Sequence, residues 1–477
     1  MEESSLSTIK SQPIKEAFIQ SIHEKQHNKQ TALFSYVEKM NWMDSLQFYK
    51  SGRALYAGER FFWKDRDGDV EIVGLGNIYT IRNEKTDQSR YAETEEKWND
   101  MIKCAFIHNS FDAYGVGPVL FGGFSFDPKQ KQEQEWSKFS SAFFYLPEYM
   151  LTVYEGECYL TTNVICPSDE LDELIDKLES KKDWLLEQAG IEQLEDSNRP
   201  FTHVEEKDTE QWKRAVHKAV KQIRSDDELK KVVLARKIMA VFDEEIAQDR
   251  VLERLIEEQP DSFIFSLEAM ESCFLGASPE RLVRKRDERA LSTCLAGSIK
   301  RGQTEEEDQN LGNELLNDEK NRIEHDYVVQ MIKKEMESLC YTVNIPSTPG
   351  LMKVRDIQHL YTPVTGFTEE SRSILQFVEK LHPTPALGGL PNDKALPVIR
   401  QLEKMDRGFY AGPIGWMDYR KNGEFAVAIR SGLLSKQQAF LYAGCGIVAD
   451  SEPESELAET RIKFRPMLRA LGEMADE

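Results

Sequence analysis

Glu456, Glu459 and Lys463 fall at i, i+3 and i+7, which sets two carboxylates and an amine on one face of a helix. Just upstream, Ala443-Gly444-Cys445-Gly446 makes a small-residue turn, and Pro453 suits the first turn of a helix, where a missing N–H costs little. Carboxylates beside a backbone-exposing turn suit a hard divalent cation such as Mg²⁺, which takes few carboxylates, several waters and a ligand oxygen. The same pattern also fits a solvated helix face with an i,i+4 Glu–Lys pair worth about 0.3 kcal/mol. Other chemistry-bearing residues sit at element ends. They are Lys231 at the mouth of a strand, Glu280 after Pro279, Glu324 beside His325 in a charged helix, and Arg430 at the end of a strand. Each has an ordinary alternative: a solvent-facing Lys, a Glu paired with Arg281 or Arg284, an exposed helix Glu beside a packed His, a structural Arg.

The elements that must position these residues can be read from periodicity and punctuation. Residues 13–27 read as a short helix and 31–37 as a strand. RFFWKD (60–65), an acidic turn and 70–75 read as strand, turn, strand. Residues 98–107 read as helix, 119–128 as a buried strand broken by Gly122 and Gly123, and 143–145, 150–154 and 157–162 as meandering strands. Residues 168–190 form an amphipathic helix with Ser168 as cap, and 206–225 a second one. Then follow a strand at 231–242, a hairpin over 262–276, a strand ending in the turn at 296–298, a charged loop at 305–308 and a helix from 317. A strand at 361–367 follows His359. Residues 381–389 make a Pro- and Gly-punctuated loop between helices. Strands at 408–416 and 425–430 are joined by the Lys421-Asn422-Gly423 turn.

The chain has 477 residues and a formal net charge of −22. That length is ample for a large core. No basic stripe suggests nucleic acid. Remote charge is screened beyond roughly 8 Å, so an anionic ligand would need local cations. The seven Cys are scattered, with no C-x-x-C, which indicates neither zinc nor a disulfide framework. Reduced thiols fit a cytoplasmic setting. No apolar h-region opens the sequence and no run suggests a membrane span. Helices and strands continue without a disordered linker. We therefore expect a sheet-rich portion over 1–200 packed into one unit with a catalytic region over 201–477.

Eight stretches in order, KVVLAR (231–236), GASPERL (276–282), LAGS (295–298), EH (324–325), HPTPALGG (382–389), FYAGPIGW (409–416), VAIR (427–430) and AGCGIVADSEPESELAET (443–460), resemble the chorismate-utilising enzymes. That family includes isochorismate, salicylate, anthranilate and aminodeoxychorismate synthases. The resemblance covers roughly 200–477. RFFWKD, IVGLG (72–76) and GPVLFGGFSFDP (117–128) look like the menaquinone-type isochorismate synthases and extend it over most of the chain.

The resemblance implies an α+β fold of two large stacked antiparallel sheets flanked by helices. It implies Lys231 as the general base toward water and Glu280 as the general acid toward the departing ring hydroxyl. Glu324 and Glu459, with Glu456 beside them, match the Mg²⁺ ligands. Tyr410 and Arg430 match residues that hold the enolpyruvyl carboxylate. Gly297, Ser298, Gly444 and Lys463 line the ring-carboxylate side, while His359, Ala386 and Leu387 lie near the ring. Asn321 departs from the acidic residue that many relatives carry, which should soften metal affinity. The implied substrate is chorismate, and no glutamine amidotransferase subunit is expected. Salicylate synthase, an anthranilate-type subunit and a non-catalytic chorismate binder are the rival readings. Lys231 stands where ammonia-using relatives carry Gln, Ala296 where aminodeoxychorismate synthases carry a Lys nucleophile, and Ala386 where pyruvate-expelling relatives often carry Thr. Together these favour the reversible conversion of chorismate to isochorismate.

Overall fold

The computed structural model describes Glu16 and residues 31–166, 171–191, 201–206, 208–355 and 357–472. Apart from Glu16, the helix expected over 13–27 lies outside the described residues, as does the Ser168 cap.

Two antiparallel-rich sheets make the frame. The thirteen-stranded sheet runs, edge to edge, His203–Glu205, Lys231–Val241, Gln438–Ile447, Ser431–Ser435, Ser272–Ser278, Phe263–Ala269, Arg60–Lys64, Val70–Leu75, Tyr149–Tyr154, Glu157–Cys166, Ala32–Met40 and Phe106–His108, with Gly389–Leu390 adding to Lys231–Val241. The ten-stranded sheet runs Thr342–Asn344, Ile357–Phe367, Arg289–Lys300, Arg281–Arg286, Gly423–Val427, Pro413–Asp418, Val119–Phe124, Ala142–Leu146 and Tyr79–Asn83, with Gly350–Lys353 on the Ile357–Phe367 strand. Both sheets draw strands from both halves of the chain. Phe265 pairs with Trp63 in the larger sheet and Ile414 with Gly123 in the smaller.

Alternation along strands divides the core into two layers. Phe61 and Trp63 point between the sheets, where Phe61 stacks on Phe121 with centroids 4.2 Å apart. Phe62, between them in sequence, points the other way and joins a second core. That core is closed from outside by Leu178 and Leu185 of Leu171–Ala189, Leu252 and Leu255 of Gln248–Glu258, and Phe464 and Met467 of Pro453–Leu471.

Some boundaries differ from the sequence expectation. The stretch expected as a charged loop at 305–308 opens the helix Glu305–Asn317. Thr304 caps it by accepting from Glu307 N, and four acids in the first turn suit the positive end of the helix dipole. The helix expected at 98–107 is Ser89–Lys103, after which Phe106–His108 runs parallel to Ala32–Met40. The strand expected to reach Arg430 ends at Val427. The one expected to start at 408 starts at Pro413, because Ala411 and Arg430 both adopt left-handed φ, 62° and 51°. Among the described residues no helix is long and apolar enough to cross a membrane.

Candidate active site

A cavity of about 530 Å³ opens where the strand ends of the two sheets meet the helices Glu319–Glu337 and Pro453–Leu471. Every residue assigned in the sequence lines it. Lys231 and Gly444 come from neighbouring strands of the larger sheet, and Gly297, Ser298 and His359 from neighbouring strands of the smaller. Glu280 and Arg430 sit on connections between the sheets, and Tyr410, Ala386 and Leu387 on loops. Glu324 projects from one helix, and Glu456, Glu459 and Lys463 from the other.

Local geometry explains several of these placements. Val233 is registered against Gly446, and a Cβ on Gly446 would lie 2.4 Å from Lys231 Cε. Glycine is therefore what lets the Lys231 stem cross its neighbour strand. Gly297 has φ +80° at a register break between Leu295 and Ser298, so the strand bends and turns its backbone toward the cavity. His325 Nδ1 lies 3.0 Å from Ala296 O and its Nε2 2.7 Å from Thr362 Oγ1. It thus packs Glu324's helix against that bend.

Two lysines of the cavity are paired with glutamates. Lys231 Nζ donates to Glu324 Oε1 at 2.5 Å. Lys463 Nζ donates to Gly444 O at 2.9 Å and pairs with Glu459 at 2.6 Å. Glu280 is different: 6% exposed, it is pushed up to about 7 by burial, with Lys231 and Lys463 pulling the other way. Burial drives His359 down to about 3, helped by Arg430 and Lys463, so its ring stays neutral. Burial also raises Tyr410, whose ring stacks on Tyr442 at 5.5 Å.

Sequence reasoning left several lining residues unassigned, among them Arg407 and Tyr442. Arg407 donates to Glu403, to Val233 O at 2.8 Å and to Leu387 O at 3.1 Å, and so ties the ring-side loop to the Lys231 strand. Its i,i+4 spacing from Glu403 was the available signal. Tyr442 lies two residues before Gly444 and therefore on the same strand face.

Glu324, 33% exposed, and Glu459, 48% exposed, offer carboxylate oxygens at the cavity mouth, with the amide of Asn321 and the hydroxyl of Ser455 in the same lining. That chemistry fits a hard divalent ion. The three glutamates are not drawn together as Asp65, Asp67 and Asp69 are, whose ligand oxygens lie within 4.8 Å of one another.

A buried carboxyl that still holds its proton near neutrality, faced by lysines in an open cavity, equips an enzyme for acid–base work on a small anion. The chain belongs to the chorismate binding enzyme family, whose description matches residues 17–472. It is 44% identical over 457 residues to the isochorismate synthase MenF of Bacillus subtilis, covering 95% of this chain and 96% of the relative. It is 38% identical to the salicylate biosynthesis isochorismate synthase of Pseudomonas aeruginosa, covering 81% of this chain and 80% of that one. The solved menaquinone-specific isochorismate synthase MenF of Escherichia coli superposes with a TM-score of 0.76 at 25% identity, over 96% of this chain and 100% of that one. Chorismate-utilising members of this family depend on a metal ion.

Proposed function

We propose that the protein is an isochorismate synthase, an isomerase that moves a hydroxyl between two carbons of the chorismate ring and serves menaquinone formation. The observation that carries this reading is Glu280, buried and sharing one cavity with Lys231, with burial pushing its carboxyl up to about 7. The full-length likeness to isochorismate synthases supports it, as does the likeness to the menaquinone-specific enzyme of Escherichia coli.

In this reading Lys231 acts as the neutral amine and takes a proton from water as its oxygen bonds to one ring carbon. The ring double bonds shift, and Glu280 gives its proton to the hydroxyl leaving the other carbon, which departs as water. One water enters and one leaves, so substrate and product are isomers, and solvent resets the two side chains. Arg430 forks onto the enolpyruvyl carboxylate with Tyr410 beside it. Gly297, Ser298, Gly444 and Lys463 receive the ring carboxylate, and His359, Ala386 and Leu387 bound the ring. Glu324 and Glu459, with Glu456 in support, would hold Mg²⁺. Bound there, it would neutralise the ring carboxylate and draw electron density from the ring. Residues 1–200 then serve as packing for the catalytic region 201–477 within one structural unit.

The test is to incubate the protein with chorismate and Mg²⁺ in ¹⁸O-labelled water and identify the product by mass. Isochorismate carrying one ring label is expected. Salicylate with stoichiometric pyruvate, anthranilate formed from added ammonium, or unchanged chorismate would each overturn the reading.

A further inference from the structure

The acidic turn between Arg60–Lys64 and Val70–Leu75 plays no part in the site described so far, and the cavity lining begins only at Lys231. Its acids are nonetheless engaged. Asp67 Oδ2 accepts from Arg281 Nη2 at 2.6 Å and from Arg284 Nη1 at 3.4 Å. Arg281 immediately follows Glu280 and is only 2% exposed. Its Nε donates to the fully buried Glu424 at 2.6 Å, and its guanidinium lies 5.2 Å from the Phe263 ring centroid. Arg281 is therefore gripped on two sides by carboxylates, one from each half of the chain.

Glu280 lies in the connection directly before the strand Arg281–Arg286, so what fixes Arg281 also restrains the backbone from which Glu280 projects. The register between Arg281–Arg286 and Gly423–Val427 breaks between Arg281 and Val283, and such bulges re-aim neighbouring side chains. Glu280's own backbone is tied down too. Its N donates to Ser278 Oγ at 3.2 Å, and its O accepts from Val427 N at 3.0 Å. On the other flank, Arg66 of the same turn donates to Pro279 O at 3.5 Å. The turn thus holds the residues on both sides of Glu280 without reaching the cavity.

We propose that Asp67 and Arg281 are positioning residues for Glu280, so that the N-terminal hairpin sets the aim of the proton donor. This rests on the reading of Glu280 as the general acid. Asp67 is the accessible handle, since its side chain is 33% exposed and Asn preserves its shape.

The experiment compares isochorismate formation by the full-length protein, Asp67→Asn and Asp67→Glu, and repeats Asp67→Asn in a Glu280→Gln background. Misplacing a reacting group by about 1 Å can cost on the order of 100-fold. Asp67→Asn should therefore lower kcat about 10- to 100-fold, with KM nearly unchanged and a melting temperature close to that of the parent. Asp67→Glu should recover most of the loss. In the Glu280→Gln background the same substitution should cost nothing further, because residues acting through one group are not additive. Parent-like kcat in Asp67→Asn, or an undiminished loss in the Glu280→Gln background, overturns the inference while isochorismate formation by the parent stands. Failure of the unaltered protein to make isochorismate overturns the underlying reading and this inference with it.

Discussion

Lys231 Nζ and Glu324 Oε1 stand 2.5 Å apart, joining the first residue of a strand in the larger sheet to a helix packed on the smaller one. Lys463 and Glu459 repeat the arrangement within one helix at 2.6 Å. An ammonium thus contacts Glu324 and Glu459, two of the three carboxylates that we propose for the metal. A cation binding there would take the place of those ammonium partners.

Metal binding should therefore be visible without turnover. Mg²⁺ should raise the melting temperature of the unaltered protein, since a ligand in a hundredfold excess over its Kd stabilises by about 2.7 kcal/mol. Glu459→Ala should lose that rise. Activity should vanish in chelator and return with Mg²⁺, and Glu459→Ala should stay inactive at ordinary Mg²⁺ levels. Full turnover by chelator-treated, metal-free protein would sink the assignment.

Lys231→Ala and Glu280→Gln should each lower kcat by ~10²–10⁴-fold, the usual contribution of a general acid or base. Far-UV circular dichroism should be unchanged in both. Lys231 comes at a strand's first position and Glu280 in a connection, so neither substitution interrupts a sheet interior. Either variant turning over at the parent rate would remove that residue from the proton path.

Much of this site was legible because its residues sit in short, type-restricted stretches: KVVLAR, GASPERL, LAGS, EH, VAIR and the final helix. Helical spacing correctly set Glu456, Glu459 and Lys463 toward one cavity. What stayed hidden depends on partners distant in sequence. Nothing near Glu280 announces that Asp67 grips its neighbour Arg281 across 214 positions of sequence. Nothing in local pattern places Arg60–Lys64 between Phe263–Ala269 and Val70–Leu75. The acids at 305–308 look like a loop by charge alone, but Thr304 caps them into the first turn of a helix. Arg430's left-handed backbone likewise cannot be read from a sequence that runs on apolar from Phe425 to Ile429.

The pH profile should follow Glu280. Burial raises it to about 7, so the proton that leaves with the ring hydroxyl is lost from the side chain as pH rises through that value. Turnover should fall on the alkaline side with an apparent pKa near 7, and Glu280→Gln should abolish that limb from its residual rate. Stability carries the same sign. The folded value lies above the ordinary 4.5, so the favourable contribution is complete below 4.5 and is lost as pH rises through about 7. The difference corresponds to roughly 3 kcal/mol at most. Denaturant titrations at pH 5 and pH 9 should therefore show Glu280→Gln gaining stability relative to the parent at the higher pH. An alkaline limb that persists unchanged in Glu280→Gln would assign it to another group.

The choice between isomerisation and loss of the enolpyruvyl group should turn on Ala386. Its loop is held rigidly: Leu387 N and Gly388 N both donate to Thr384 O, at 3.0 and 2.9 Å, and Arg407 holds Leu387 O. The loop therefore presents a methyl group to the cavity at a fixed place, with no polar atom to assist a second elimination. Ala386→Thr adds a hydroxyl there without demanding a new backbone conformation, because the loop's hydrogen bonds involve Thr384, Leu387 and Gly388 and not residue 386. We expect this variant to keep isochorismate formation within about tenfold of the parent, the scale of a modest pocket change. It should also release pyruvate and salicylate at a rate the parent does not reach. Coupled lactate dehydrogenase would read the pyruvate and fluorescence the salicylate. If pyruvate release is the same in both proteins, the methyl group at this position is not what restrains the second step.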